Sequence, residues 1–476
     1  MKISRRLWLG LSLAVLCGLL FTPPARAQEP PSRPAVILIS IDGLKPEYVL
    51  DADAHGLKIP ALRRFLREGA YSTGVHGVVP TVTYPSHTTL ITGVSPARHG
   101  VYANNTFDPL RKNFGGWYWY AEDIKVPTLW DAAADAGLST ANVHWPVSVA
   151  ARITYNLPQY WRAGTSDDRK LLRTLSTPGL LEALEKDLGP YADGIDESII
   201  GDETRAKFAA RVLELKRPAF ATIYLTALDH EQHASGPFSA ESNATLERID
   251  AAVAGILDSI QRAYGDRAVV CIVSDHGFVS TDKALNLAVA FRNAGLIEFG
   301  AENRSAFASI RNPVKSWKAM IWGAGGSAAI VLHDKNDAAT KSKVAALLAK
   351  LAADPANGID RIIPESELHA RGGFPEAAFL VALRAGFVIG DAVSGEIVTP
   401  SASFRGMHGY WPDLPEMNAS FFILGPGIPA GRSLGLIDMR AIAPTLAQIL
   451  GLRLPSAEAR SLCPALGCGL PPLHPE

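Results

Sequence analysis

Acidic and histidine side chains stand in this sequence where metal ligands would be expected, most of them directly after short apolar runs. Asp229 is followed four residues later by His233, and Asp275 is followed at once by His276. Six such residues predict a site for two metal ions with three protein ligands each, which leaves positions open for substrate or water. That arrangement is typical of a catalytic site. The six residues are Asp42, Asp229, His233, Asp275, His276 and His408.

The spacing within each pair fits joint binding of one ion. Asp229 and His233 would lie on one face of a helical turn, and Asp275 and His276 would share a loop just after a strand. Each residue also has another explanation when taken singly. Asp229 could cap a helix N-terminus, and His276 could be a loop histidine with its hydrogen bonds satisfied. All such explanations would have to hold together for the site to be absent.

A hydroxyl-rich turn, residues 80–87, supplies a candidate nucleophile. A hydroxyl attacks poorly until a metal ion or a base withdraws its proton, so a threonine at a helix start beside a dication would be activated. The helix N-terminus would also favour phosphoryl oxygens. Alternatively, Thr81 and Thr83 only cap and satisfy amides of the turn.

The elements that would position these residues alternate between short apolar runs and longer helical patterns. This alternation predicts an α/β fold with a three-layer α/β/α core and a mostly parallel central sheet. Ligands bind beyond the carboxyl ends of strands in such sheets, which is where Asp42, Asp229 and Asp275 fall. Residues 279–403 differ in character and predict an inserted smaller cap. It would separate two parts of the core, residues 28–278 and residues 404–476 with the C-terminal tail.

The first residues predict export. A basic start, an apolar stretch and a small-residue cleavage site indicate a signal peptide over residues 1–27. An uncleaved membrane anchor is the alternative, although the stretch is short for a spanning helix and nothing comparable follows it. We therefore expect a periplasmic or secreted protein without a stable membrane anchor.

Charge and cysteine content fit this expectation. The formal net charge is -1, and removal of residues 1–27 takes away four basic residues and no acid, which gives -5. We find no basic patch that would predict a nucleic-acid partner. Cys463 and Cys468 bracket a Pro-Gly loop near the C-terminus, and we predict a local disulfide between them in an oxidising compartment. Two free thiols are the alternative.

Several motifs, in this order, resemble the alkaline phosphatase superfamily, and most closely its type I phosphodiesterase / nucleotide pyrophosphatase branch. The resemblance covers essentially all of the chain after residue 27 and implies an alkaline phosphatase-like fold. The motifs are Val-Ile-Leu-Ile-Ser-Ile-Asp42-Gly, Pro-Thr-Val-Thr83-Tyr-Pro-Ser-His, Thr92-Gly93, His99-Gly100-Val-Tyr-Ala-Asn104, Asp229-x-x-x-His233, Ser274-Asp275-His276-Gly and His408-Gly409-Tyr.

The resemblance implies two Zn²⁺ ions, with Mn²⁺ or another divalent metal as an alternative. The implied ligand sets are Asp229, His233 and His408 for one ion, and Asp42, Asp275 and His276 for the other. Thr83, which stands before a Tyr-Pro pair, matches the nucleophile. It would contact the second metal as an alkoxide and form a phospho-threonine intermediate. Asn104 matches the asparagine that donates to a phosphoryl oxygen.

The implied activity is hydrolysis of phosphodiester or pyrophosphate bonds in a small-molecule or nucleotide substrate. Monoesterase relatives carry a Lys-x-Arg pair where this chain has Trp145, which we expect to be a substrate-binding residue. A phosphomonoesterase of the same superfamily is the alternative. Tyr224 matches an aromatic on which the family stacks a nucleobase, and Tyr84 could form the other wall. Tyr224 could instead be a core aromatic at a strand end.

Two further classes of protein are disfavoured. A phosphate-binding protein without turnover would need a damaged site, and every site position is present. A membrane phosphoethanolamine transferase would need several transmembrane helices, and the sequence after residue 27 predicts none.

Overall fold

The strands of this protein form one large central sheet and several smaller sheets. The computed structural model describes residues 33–110, 112–113, 116–162, 164–301 and 312–468, so the predicted signal peptide lies outside the described residues. The strands are β1 Ala35–Ile41, β2 Ala70–Tyr71, β3 Gly74–His76, β4 Thr140–Val143, β5 Tyr155–Leu157, β6 Phe220–Leu225, β7 Ala268–Val273, β8 Val279–Leu285, β9 Ile297–Phe299, β10 Val314–Trp317, β11 Ala319–Gly323, β12 Ser327–Leu332, β13 Ile359–Pro364, β14 Ala377–Leu383, β15 Gly386–Ile389, β16 Val398–Pro400, β17 Gly406–Met407, β18 Phe421–Leu424, β19 Arg432–Ser433 and β20 Leu436–Asp438.

The helices are distributed between the strands. They are α1 Pro46–Leu50, α2 Pro60–Glu68, α3 Thr83–Thr92, α4 Pro96–His99, α5 Leu129–Asp135, α6 Ser166–Leu175, α7 Leu180–Leu188, α8 Ile199–Lys216, α9 Ala227–Ser235, α10 Ala240–Tyr264, α11 Leu287–Asn293, α12 Ala338–Ala352, α13 Glu365–Ala370, α14 Ile442–Ile449 and α15 Cys463–Leu466. None of them, within the part of the chain that is described, combines the length and the apolarity needed to cross a membrane.

The central sheet is mostly parallel, as predicted. Its strand order is β19-β2-β18-β7-β1-β6-β4-β5. The neighbours β7, β1, β6, β4 and β5 all pair in parallel, whereas β18 is antiparallel to both β7 and β2. The α/β fold class is therefore confirmed.

The middle strand β1 shows why the sheet is covered on both faces. Successive side chains of a strand point to opposite faces, and every residue of β1 is buried. Ile37 and Ile39 belong to an apolar core that includes residues of α8 and α10. Val36 and Leu38 belong to a second core that includes residues of α3 and α14. Burial on both faces explains why six of the seven residues of β1 are apolar, Ser40 being the exception.

The described residues between 279 and 403 lie outside the central sheet. Strands β11, β12, β14 and β13 form an antiparallel sheet. In a second, mixed sheet, β8 pairs in parallel with β15 and antiparallel with β16. Phe291 of α11 and Val344 and Leu348 of α12 pack into an apolar core of this segment. The predicted cap thus has secondary structure of its own, and its boundaries stay a prediction.

The cysteines near the C-terminus are paired. Cys463 at the start of α15 and Cys468 just after it are joined by a disulfide. Cys271 is a free thiol that is buried in β7. A local cross-link of this kind is typical of proteins that fold in oxidising compartments.

Candidate active site

Three neighbouring parallel strands end at the same edge of the central sheet and carry the acidic residues there. Asp42 follows β1, Asp275 lies two residues after the end of β7, and β6 leads into α9, which carries Asp229. Because β1 lies between β7 and β6, the three carboxylates converge. The four-residue spacing of Asp229 and His233 is that of one helical turn of α9, as expected.

The fourth segment reaches the site through a strand outside the central sheet. His408 follows β17, whose Met407 pairs with Val279 of β8. Gly409 continues the chain with a φ of +83°, and a Cβ there would lie 1.7 Å from the carbonyl oxygen of Ala324. Only glycine fits this close approach and this backbone conformation, which explains why glycine follows the histidine.

The imidazole nitrogens of these segments face the carboxylates. His276 Nε2 lies 3.4 Å from Asp42 Oδ1 and 3.1 Å from Asp275 Oδ2. Asp229 Oδ2 lies 3.3 Å from His233 Nε2, and Asp229 Oδ1 lies 3.6 Å from His408 Nε2. The rings of His276 and His408 stack with centroids 3.6 Å apart. All six predicted ligands are therefore brought together.

The ligand atoms divide into two overlapping groups that could each hold an ion. Asp42, Asp275 and His276 form one group, and Asp229, His276 and His408 form the other. His276 thus stands between the two groups, while His233 approaches Asp229 separately. The sequence resemblance assigns His276 to the ion of Asp42 and Asp275. It assigns His233 to the ion of Asp229 and His408, and that division stays a proposal.

Backbone carbonyls fix the orientation of each histidine. Each Nδ1 atom faces one backbone carbonyl oxygen. The pairs are His233 with Gly406 at 3.0 Å, His276 with Gly277 at 3.2 Å and His408 with Thr81 at 3.3 Å. A ring that donates from Nδ1 to a carbonyl keeps the lone pair on Nε2 for a metal ion. Burial lowers the pKa of His233 to about 4, so the ring is neutral, the form that binds metal.

The donor atoms fit divalent cations because they are buried and otherwise unpartnered. The atoms Asp42 Oδ1, Asp229 Oδ1, Asp275 Oδ2 and His276 Nε2 have no hydrogen-bond partner. Buried polar atoms are almost always paired, and several carboxylates in one buried space repel each other. Oxygen and imidazole donors in this number suit zinc or its first-row neighbours.

The pKa values of the three carboxyl groups reflect the same repulsion between neighbouring carboxylates. Burial, and then the nearby carboxylates, raise the pKa of Asp42 and of Asp229. Burial would raise the pKa of Asp275 as well, but His276 and His87 outweigh it and hold the value below its usual range. Bound cations would stabilise the ionised form of all three carboxylates.

Thr83 is the first residue of α3 and is buried beside this cluster. Its carbonyl oxygen lies 2.8 Å from His87 Nδ1, and the same nitrogen lies 3.6 Å from Asp275 Oδ2. His87 Nε2 lies 2.8 Å from the hydroxyl of Ser40. Both ring nitrogens of His87 are therefore engaged within the protein, which marks it as a positioning residue for Thr83.

The position of His87 was missed by the sequence analysis. It stands four residues after Thr83 in a segment that becomes α3, and that spacing places both on one helix face. Burial lowers the pKa of His87 to about 4, so it is a neutral hydrogen-bonding group. Ser40, its other partner, lies inside β1 and carries no sequence signal of its own.

Asn104 lies where its side chain can reach the start of α3. Its Oδ1 accepts a 2.9 Å hydrogen bond from the backbone N–H of Tyr84. With the oxygen engaged, the Nδ2 hydrogens remain as donors. This geometry suits the predicted contact to a phosphoryl oxygen, although that contact stays a proposal.

The aromatic residues predicted to bind the substrate, among them the proposed stacking pair, do not present accessible ring faces in the structure. Trp145 is fully buried and meets the ring of His87 edge-on. Tyr224 is buried and its hydroxyl donates to Asp42, and Tyr84 is buried with its hydroxyl bonded to Gln159. A nucleobase stacks on an accessible face, which none of these rings presents here. Their substrate-binding roles gain no support from the structure.

Comparison with known proteins gives consistent results. The sequence profile of the type I phosphodiesterase / nucleotide pyrophosphatase family matches residues 36–411. Ectonucleotide pyrophosphatase/phosphodiesterase family member 3 of Mus musculus is 29% identical over 273 residues, which cover 54% of this chain and 27% of the relative. The human bis(5'-adenosyl)-triphosphatase ENPP4 is 20% identical over 429 residues, which cover 88% of this chain and 79% of the relative.

Solved structures show a similar fold. An inactive variant of murine ectonucleotide pyrophosphatase / phosphodiesterase 5 in complex with AMP has a TM-score of 0.62 and 16% sequence identity. The alignment covers 90% of this chain and 97% of that protein. By contrast, this chain spans only about a quarter of the length of several relatives that it matches by sequence, such as the mouse family member 3 at 27%.

Proposed function

Because the chain belongs to the type I phosphodiesterase / nucleotide pyrophosphatase family, we propose that it is a metal-dependent hydrolase of phosphodiester or pyrophosphate bonds. The observation that carries this proposal is the convergence of three carboxylates and three histidines at one edge of the sheet. Four of the facing atoms are buried without a hydrogen-bond partner, namely Asp42 Oδ1, Asp229 Oδ1, Asp275 Oδ2 and His276 Nε2. A nucleotide or another small phosphodiester is the substrate. The murine family member 5 structure holds AMP, which supports a nucleotide as one of the two ester groups.

Two Zn²⁺ ions are the proposed cofactors, with Mn²⁺ as the alternative. Asp229, His233 and His408 would hold one, and Asp42, Asp275 and His276 the other. When bound, such ions lower the pKa of a nearby hydroxyl and stabilise negative charge on phosphoryl oxygens. The backbone carbonyls that fix the three imidazole rings keep the donor atoms in place without reorganisation.

Thr83 is the proposed nucleophile. Its Oγ1 forms a bond to phosphorus while the bond to the leaving oxygen breaks, and that oxygen takes the electron pair and then a proton. Water next attacks phosphorus, the bond to Thr83 breaks, and its hydroxyl is restored. Two displacements give overall retention of configuration at phosphorus. His87 holds the carbonyl of Thr83, and Asn104 donates to an equatorial phosphoryl oxygen.

Export through the predicted signal peptide is part of the proposal. The Cys463–Cys468 disulfide supports an oxidising compartment, the periplasm or the outside of the cell. Fractionation of the cells that produce the protein tests it, since accumulation of the uncleaved chain in the cytoplasm would contradict export.

The test of the function compares a nitrophenyl nucleotide diester with nitrophenyl phosphate on the purified, metal-loaded protein. We expect faster turnover of the diester, and faster turnover of the monoester would favour the phosphomonoesterase. Thr83→Ala should lower diester turnover by at least about a thousandfold, because the nucleophile is lost. Thr174→Ala, a substitution of an exposed threonine on α6, is the matched control. Unchanged turnover in Thr83→Ala would remove this residue as nucleophile.

A further inference from the structure

A large cavity opens beside the site on the side of the cap. Its volume is about 620 Å³, within the range that takes a small organic ligand. Strands β9, β10, β11 and β15 of the segment 279–403 line it, together with the loop at residues 103–109. The cavity is therefore built largely by the segment outside the central sheet.

The cavity meets the site at one end only. Of the six proposed metal ligands, His233 and His408 line it, and Asn104 lines it next to them. Thr83 is not among its lining residues. In an in-line displacement the leaving oxygen departs opposite the attacking oxygen. A cavity at the His233 and His408 end therefore lies where the leaving group goes.

Apolar and aromatic residues form much of the cavity wall, beside polar residues such as Asn105, Thr106 and Asp108. Phe107 lies 5.9 Å from the ring of Trp317 and 5.2 Å from that of Trp322, measured between centroids. Met320 and Ile389 add aliphatic surface. Phe404 lines the cavity with 38% of its surface exposed, and its ring lies 5.3 Å from that of His233. An exposed phenylalanine beside a polar site offers apolar surface to a ligand.

The charges of the cavity disfavour an anionic leaving group. Asp108 and Asp391 are the acidic residues that line it, and no lysine or arginine stands among the described lining residues. A pyrophosphate or nucleoside phosphate leaving toward this cavity would meet two carboxylates there, and none of the described residues that line the cavity is a lysine or arginine that would offset them. An uncharged leaving group has no such conflict.

We propose that this cavity binds the leaving group of the substrate, and that this group is an uncharged, apolar alcohol such as an alkylphenol. The proposal rests on the proposed function and narrows its substrate class. The bond between phosphorus and the alcohol oxygen breaks, the oxygen keeps the electron pair and gains a proton, and the alcohol remains briefly in the cavity. The other ester group stays on phosphorus, next to Thr83.

A series of methyl 4-alkylphenyl phosphates with para-methyl to para-pentyl chains tests the assignment. A para-alkyl chain hardly changes the acidity of the phenol, so differences in kcat/KM report contact with the cavity. Each buried methylene raises kcat/KM by up to about fourfold, the equivalent of about 0.8 kcal/mol. We expect the pentyl ester to exceed the methyl ester by at least about tenfold, and to exceed a nucleoside triphosphate as well.

Phe404→Ala should reduce the pentyl-to-methyl ratio by about threefold or more, whatever happens to the absolute rates. Leu436→Ala is the matched control, because Leu436 is an exposed apolar residue of β20 that does not line the cavity. A ratio near one in the unaltered enzyme, or faster turnover of the triphosphate, would overturn the proposal while leaving the phosphodiesterase in place.

Calorimetric binding of 4-pentylphenol and 4-methylphenol gives a measurement that needs no turnover. We expect tighter binding of the pentyl compound, and loss of that preference in Phe404→Ala. If no diester is hydrolysed but this preference is seen, the proposed function fails and the apolar ligand class of the cavity stands. If the preference is absent too, both fail.

Discussion

The backbone carbonyls that face His233, His276 and His408 decide what these side chains can do. Each carbonyl holds Nδ1 and leaves Nε2 directed at a carboxylate. His87 differs, because its two nitrogens face the Thr83 carbonyl and the Ser40 hydroxyl. The partner of the second nitrogen thus separates the three histidines proposed as ligands from His87, which we propose as a positioning residue.

Among the proposed ligands, Asp275 is the one whose loss should weaken metal binding most strongly. Its Oδ1 accepts a 3.1 Å hydrogen bond from the backbone N–H of Gly43, and its Oδ2 faces His276. Asp275→Asn keeps the shape but removes the charge and an oxygen donor. We expect metal affinity to fall by at least about tenfold. Loss of a hydrogen-bond partner of a ligand already costs about tenfold to a hundredfold in metal affinity.

Metal titration of the apoprotein measures this effect. Asp53→Asn serves as the control, because Asp53 is exposed and forms its ion pair with Arg63, which is not one of the proposed metal ligands. Equal metal affinity in the unaltered protein and in Asp275→Asn would contradict the ligand assignment.

At the scale of elements, the start of α9 depends on a residue of another helix. Asp202 of α8 is fully buried and accepts hydrogen bonds from the backbone N–H groups of Thr226 and Ala227 at 3.0 and 2.8 Å. It also pairs with the buried Arg205 at 2.9 Å. One carboxylate therefore caps the helix that carries Asp229 and neutralises a buried guanidinium.

Removal of this carboxylate should be strongly destabilising. Asp202→Ala leaves Arg205 charged and buried without its counterion, which costs about 3–5 kcal/mol in the free energy of unfolding. The loss of two helix-capping hydrogen bonds acts in the same direction. Urea denaturation measures the change, and Asp187→Ala, which breaks the exposed pair with Arg211, is the control. A decrease in the free energy of unfolding of less than about 1 kcal/mol would show that the Asp202–Arg205 pair contributes little to stability.

At the scale of the whole molecule, the ligand cluster ties together segments that are distant in the chain. Asp42, Asp229 and Asp275 lie in segments that directly follow strands of the central sheet, and His408 follows the segment 279–403 in the chain. Ions bound by the native state alone stabilise it by mass action, by about 2.7 kcal/mol for each ion at a concentration one hundred times its Kd.

Chelation of the metal should therefore lower the thermal midpoint of the whole protein. We expect a reversible decrease of several degrees that is restored by Zn²⁺ or Mn²⁺, measured by calorimetry on the same preparation. Asp275→Asn should show a smaller decrease, because one binding group is already weakened. A midpoint that does not respond to the chelator would argue against resident metal ions.

The convergence of the proposed ligands was largely predictable because strand ends in a parallel sheet share an edge. Asp42, Asp229 and Asp275 each follow an apolar run closely, and those runs became β1, β6 and β7 as neighbours. The spacing of Asp229 and His233 predicted the helix turn correctly. The alternation of strands and helices likewise predicted the mostly parallel sheet, because burial on both faces leaves a continuous apolar pattern.

The sequence by itself determined the kinds of donor atom, their order and the edge of the sheet at which they meet, since these follow from local pattern and from the rules of parallel sheets. Only the tertiary structure decided that His276 lies between both ligand groups, that Trp145 and Tyr224 are buried, and that the cap forms an apolar cavity beside His233 and His408. These features depend on how segments distant in sequence pack against each other. Local propensity does not encode such distances.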